Sequence, residues 1–256
     1  MKILNKIIII VVLVACLYAA FLIASDVSKI SEKISSFKIE FLPIIISLVT
    51  SGWFILFARW HLLLKNSKIF IPKKDNLVIF FSSFALAVIP GKMGDLIKSQ
   101  LLKTKFGIPR SRTVPIVMLE QLYTVIGLVF LSFFGIWYFE LGTYVIGFFT
   151  ALLVFVFILI SSRKTFNKMV LLLGKWKYTS KFVEPLSSSY DTIKTSIKGP
   201  MIFYASALTA IFWLMEAIVV YFLLLSFGID SIEFLKVIPT YTTSLMLGFL
   251  SFLPMG

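Results

Sequence analysis

Three ionisable features interrupt the apolar stretches of this sequence, and each has the residue types to hold a charge at a depth where water is scarce. The first is Pro90-Gly91-Lys92-Met93-Gly94-Asp95-Leu96-Ile97-Lys98. Gly91 and Gly94 permit a tight turn and close approach of a ligand to the backbone. A helix starting near Lys92 offers unpaired N–H groups and the positive end of its dipole. Lys92 and Lys98 add cationic charge. Together these groups suit a phosphate; the plainer reading is a helix breaker followed by an interfacial helix with snorkelling lysines. The second feature is Glu120, inside an apolar run. It has the reach to pair with Lys92 or Lys98, to hold a cationic group or to carry a proton; an ordinary structural ion pair is the alternative. The third is Glu216, deeper in its run and near Trp213 and Met215. Ligand binding or coupling competes there with a neutral, hydrogen-bonded Glu joining two helices. Arg59 and His61 lie at the end of a run and read as interfacial anchors.

The elements that must position these groups are hydrophobic helices. Of the 256 residues, 59% are hydrophobic and 14% charged. Mean hydropathy is +0.98. Ordinary soluble domains carry about 25% charged residues, so lipid is the solvent that fits. Apolar runs cover 7–24, 41–64, 113–139, 141–160, 201–227 and 237–253. The expected fold is all-α and polytopic, with about six spans. The run 7–24 also resembles a signal or lipoprotein leader around Cys16, but it continues past the cysteine and suits a span better.

The run 77–89 is different. Its 13 residues reach only about 20 Å as a helix, against a hydrocarbon core of about 30 Å. It ends at Pro90-Gly91, and spanning would carry Lys92, Asp95 and Lys98 into lipid. A re-entrant hairpin is expected: in to mid-depth, a break, and back along 93–102. Charge supports this independently. The chain carries 25 Lys and Arg against 12 Asp and Glu, and basic residues gather on the cytoplasmic side of spans. Lys65, Lys68, Lys73 and Lys74 precede the hairpin, and Lys103, Lys105, Arg110 and Arg112 follow it. Both sets belong inside only if the hairpin returns to its own side. Lys2 and Lys6 place the N-terminus inside too, in a cell (inner or plasma) membrane. The segment 161–199 reads as a basic cytoplasmic loop with amphipathic patches.

The stretch 247–256, ending in Pro254-Met255-Gly256, has the same form as 83–94: an apolar half-span closed by Pro and Gly. One would enter from inside and the other from outside, the pattern of an inverted repeat. Interrupted segments at matching places in two halves point to a transport site. Pro254, Gly256 and Glu216 are therefore the candidates for a second site. The sequence stops inside this element, so the whole is expected to be one transmembrane domain over 1–256, cut short at its C-terminus.

Pro90-Gly91-Lys92-Met93-Gly94-Asp95 resembles the Pro-Gly-Arg/Lys-x-Gly-Glu/Asp signature of the lysylphosphatidylglycerol synthase transmembrane family. Met118-Leu119-Glu120-Gln121-Leu122 is similar to its Glu-Arg-Leu helix, with Gln121 in place of the usual Arg. Leu253-Pro254-Met255-Gly256 is similar to its Leu-Pro-Gly-Gly segment, with Met255 in place of a Gly. The resemblance implies a flippase-like domain that moves an anionic or aminoacylated phospholipid, or a polyprenyl-linked lipid, between leaflets. It implies a head-group site at Pro90, Gly91, Lys92, Gly94, Asp95, Lys98 and Glu120. The expected partner is a membrane phospholipid or lipid-linked substrate, with self-association open and nucleic acid excluded. No cofactor is expected. One cysteine and one histidine cannot build a Cys/His zinc site. The resemblance covers the membrane portion, so lysyl transfer is not expected of these residues. A membrane transferase acting on lipid-linked substrates and a membrane scaffold acting through the basic loop are the alternatives. Neither a nucleotide loop nor an acidic metal pair supports the first.

Overall fold

The computed structural model describes residues 16, 34–86, 95–135, 140–175, 183–197 and 199–251. Among them every regular element is a helix: α1 Leu42–Asn66, α2 Lys73–Ser82, α3 Leu96–Phe106, α4 Arg110–Ser132, α5 Glu140–Ser161, α6 Arg163–Gly174, α7 Val183–Ser196, α8 Pro200–Ser226 and α9 Phe234–Ser251. Short 3-10 turns precede α1 and follow α2 and α4. Four helical stretches are long and apolar enough to cross a membrane: Ile39–Asn66, Arg110–Ser132, Gly142–Ser161 and Pro200–Ser226. The run 7–24 and the Pro-Gly ends 87–94 and 252–256 lie outside the described residues.

Backbone chemistry sets the breaks. Pro43 and Pro200 occupy the first turns of α1 and α8, where a missing N–H costs nothing. Gly107 (φ 68°) closes α3 in the left-handed conformation. Its N–H donates to the Lys103 carbonyl at 3.0 Å, and Ile108 N–H donates to Leu102. Gly228 (φ 74°) ends α8 in the same way. These are αL stops that favour glycine. The helix from run 113–139 starts earlier and finishes sooner, at Ser132 with a 3-10 turn to Gly135. Within 161–199 the described residues form two helices, α6 and α7, which pack on each other and on α4 and α5.

The hairpin limbs return to one end. Lys105 Nζ near the close of α3 lies 2.5 Å from Asp75 Oδ1 near the start of α2. That end also ties α1 to α7, where Asn66 Nδ2 donates to Ser196 Oγ at 3.1 Å, and to α4, where Arg112 reaches the Ser67 carbonyl at 3.4 Å. Lys65, Lys68, Lys73, Lys74, Lys103, Lys105, Arg110 and Arg112 thus lie on helix ends that these contacts join. The other limb end, at Asp95, meets Gln121 at the middle of α4. The start of α3 thus lies against the middle of a spanning helix, while the turn expected at 87–94 lies outside the described residues.

Helix α4 is the hub. It packs against α3, α5, α7, α8 and α9. Of its most apolar window 61% is buried within the protein, against 11–28% for the other three spans. It is also the least apolar of the four, with hydropathy 1.9 against 2.1–2.6. The two facts share a cause. A helix facing lipid must be apolar all round, while one facing other helices has partners for polar side chains. Two apolar clusters flank this hub. One joins Trp60, Leu64, Phe80, Leu102, Ile116 and Tyr123 near the basic end. The other joins Leu128, Phe149, Phe212, Trp213, Ile238 and Met246 away from it.

Candidate functional site

One face of α4 carries Thr113, Val117, Glu120, Thr124, Gly127 and Leu131, all buried and spaced by three or four residues. That spacing forms a single stripe along a helix. Glu120 is only 2% exposed, and two cations meet it. Lys98 Nζ, from the first turn of α3, donates to Glu120 Oε2 at 2.5 Å. Arg59 Nη2, from α1, lies 3.8 Å from Glu120 Oε1. Lys98 also contacts Asp95 Oδ1 at 3.2 Å. Asp95 Oδ2 in turn accepts from Gln121 Nε2 at 2.7 Å. Two cations and two carboxylates balance, so the group carries no net charge in its low-dielectric surroundings.

Its supports are specific. Arg59 Nη1 donates to Thr209 Oγ1 of α8 at 2.9 Å and to Thr124 Oγ1 of α4 at 3.4 Å. Both hydroxyls donate back along their own helices, to the carbonyls of Ala205 and Glu120. Their lone pairs are thereby left for the guanidinium. Lys98 Nζ sits 4.8 Å from the centre of the Trp60 ring and 5.5 Å from that of Phe80, within cation–π range. Trp60 Nε1 donates to Asn76 Oδ1 at 2.8 Å. Asn76 Nδ2 donates to His61 Nδ1 at 3.0 Å, which assigns the lone pair of that ring nitrogen. Helices α1, α2, α3, α4 and α8 all contribute to holding one ammonium and one guanidinium in place.

Not every group in the site is enclosed. The Asp95 side chain is 25% exposed, against 3% for Lys98 and Glu120. Asp95 is thus the edge of the site, and it borders the Pro-Gly segment. Arg59 Nε is buried with no partner among the described residues. Elsewhere along α4, an apolar cavity of about 180 Å³ lies between α4, α5, α6 and α7, lined by Met118, Leu119, Leu122, Val156, Phe166 and Ile193. Such walls suit hydrocarbon rather than a head group.

Of the residues singled out from sequence, Asp95, Lys98 and Glu120 come together here. Pro90, Gly91, Lys92 and Gly94 lie outside the described residues, as do Pro254 and Gly256. Glu216 stands apart. Its Oε2 accepts from Tyr241 Oη of α9 at 3.4 Å, and a Cβ placed on Gly52 of α1 would lie 3.9 Å from its Oε1. Arg59 departs from its expected role: at 4% exposure it is a buried member of the charge cluster, not an interfacial anchor. The partners that bury it are 65 and 150 residues away in sequence. Only the threonines in otherwise apolar runs hinted at them. Among the described residues no group of three or more His, Cys, Asp or Glu is placed to hold a metal.

The chain matches the family described as the lysylphosphatidylglycerol synthase TM region over residues 6–256. It belongs to that family. The match takes in the hairpin, the hub helix and the last helix together, and it makes this a multi-pass membrane protein of lipid metabolism or transport. Comparison with curated proteins gave no match, and neither did comparison with solved structures.

Proposed function

We propose that this family member moves an anionic or aminoacylated lipid between leaflets, and that its phosphate is handled at the open edge of the Arg59–Lys98–Glu120–Asp95 cluster. The lipid is a phospholipid of the phosphatidylglycerol type, its aminoacylated form, or a polyprenyl-linked phosphate. The observation that carries this reading is a charge-balanced cluster buried where α3 begins against the middle of α4, with one of its two carboxylates at the surface of the site. Glu120 is held by two cations and serves as their permanent counter-ion. Asp95 is the exchangeable one. An arriving phosphate replaces Asp95 on Lys98, with Lys92 of the Pro-Gly segment as a second cation. The two buried cations then never share Glu120 alone, an imbalance of charge that costs several kcal/mol. When the head group leaves, Asp95 returns. The hydrocarbon tails remain in lipid, so only the polar end needs a path. The basic helix ends face the cytoplasm of a cell membrane in this reading.

The test is movement of head-group-labelled phosphatidylglycerol, beside a neutral lipid, in proteoliposomes. Wild type is expected to accelerate the anionic lipid selectively, and Lys92→Ala to lose most of that gain. Asp95→Asn is expected to tighten binding of the anionic lipid and slow its release, because the competing anion is gone. If Asp95→Asn weakens binding instead, the exchange mechanism is wrong.

A further inference from the structure

The geometry points to Glu216 as a proton-exchange site, reached through a separate cavity between α8 and α9. Glu216 is the single charged residue of α8. It lies 16 residues after Pro200 and ten before Ser226, so both helix ends are about 15–24 Å away along the axis. Gly52, its neighbour on α1, is likewise near the middle of Leu42–Asn66. Glu216 is therefore near mid-depth of two spanning helices. A carboxylate there requires a positive charge or a proton.

Among the described residues no cation supplies that charge. On α1 there is no charged residue from Phe41 to Ala58, and Arg59 beyond them is committed to Glu120, Thr124 and Thr209. On α9 the one charged residue is Lys236, whose Nζ lies 3.1 Å from Glu233 Oε1. The titratable group facing Glu216 is the neutral hydroxyl of Tyr241, at 3.4 Å. Tyr221, on its own helix, meets the Phe234 ring edge-to-face, with centroids 5.3 Å apart. One turn before the carboxylate, Trp213 is 8% exposed, and its Nε1 is buried with no hydrogen-bond partner among the described residues. Trp213 and Tyr241 rings lie 6.5 Å apart.

Access is present. A cavity of about 340 Å³ lies along α8 and α9, lined by Val220, Leu224, Lys236, Thr240, Tyr241 and Ser244. Val220 and Leu224 follow Glu216 at intervals of four residues, so they continue its face of α8. The cavity has room for several waters, and Tyr241 belongs both to its wall and to the Glu216 contact. Protons thus reach the carboxylate through water and hydroxyl groups, and the carboxylate binds one proton to become a neutral acid that donates onward. Seven residues of α1 separate Gly52 from Arg59, or about 10 Å along the axis. The proton site and the phosphate site sit at different depths on one rigid helix. Gain and loss of the proton would set which way α9 leans on α8; this coupling rests on the lipid-transport reading, while the proton site does not.

The experiment is an infrared difference titration of the full chain in lipid, across about pH 5 to about pH 9, with lipid movement under an imposed pH gradient measured in parallel. Wild type is expected to show a protonated-carboxyl band that titrates and that is missing in Glu216→Gln. In the gradient assay, wild-type rates are expected to change about fivefold and those of Glu216→Gln not at all. Should Glu216→Gln fail to fold, Tyr241→Phe must shift the titration midpoint. A band that survives Glu216→Gln, one that answers to sodium rather than to pH, or an unmoved midpoint in Tyr241→Phe overturns the proposal. A titrating Glu216 band in a protein that moves no lipid would keep the proton site and remove the lipid reading.

Discussion

Glu120 and Glu216 are both carboxylates inside spanning helices, yet the protein treats them in opposite ways. Glu120 is clamped by Lys98 and Arg59 and is 2% exposed. Glu216 is partly exposed beside a cavity and has one long hydrogen bond from a tyrosine. A buried charge with two opposite partners is a fixed part of the framework, because removing any member leaves the rest uncompensated. Glu216, with no cation among the described residues, is free to change its protonation. The difference separates a site that holds charge from one that exchanges it.

The comparison breaks most severely at Glu120→Gln. Two buried cations would then share only Asp95, and a loss of about 3–5 kcal/mol is expected, read as a lower melting temperature in lipid nanodiscs. Adding Lys98→Met should recover part of that loss, which a double-mutant cycle measures directly. The next effect is steric. A Cβ on Gly127 would lie 2.7 Å from Thr209 Cγ2 and 3.2 Å from Trp213 Cδ1. Gly127→Ala should therefore push α4 from α8, costing about 1–3 kcal/mol and disturbing both carboxylates together. Glu216→Gln keeps shape and one hydrogen bond, so its stability change should stay within about 1 kcal/mol. The smallest effect belongs to Lys105→Ala, since Lys105 is 54% exposed in its pair with Asp75. Exposed pairs contribute about 0–1 kcal/mol. A loss at Glu216 as large as that at Glu120 would erase the distinction.

The sequence carried much of this arrangement. The meeting of α2 and α3 at one end, through Asp75 and Lys105, was legible because the run between their basic flanks is too short to span; the expected turn at 87–94 lies outside the described residues. Lys98 and Glu120 were legible as potential partners because each is costly in lipid alone. Arg59 was not. At the end of an apolar run it looks like an anchor, and what buries it is the convergence of Thr124 and Thr209 from distant helices. The central place of α4 was also hidden, although its lower hydropathy and its Glu, Gln, Thr and Tyr content were the trace of it. Periodicity reports that a face is buried but not which helix covers it. The two helices within 161–199 were legible only as amphipathic patches, since their burial depends on α4 and α5.

The most direct measurement is translocation of labelled phosphatidylglycerol in proteoliposomes by wild type and by Lys98→Met/Glu120→Gln, which removes the ammonium together with its buried counter-ion. The double variant is expected to fold and to lose at least about tenfold in anionic-lipid movement, a barrier increase of about 1.4 kcal/mol, while neutral-lipid movement stays at the level of protein-free vesicles. Equal rates for wild type and double variant, or wild-type rates no higher than those of empty vesicles, would contradict a phosphate site at this cluster.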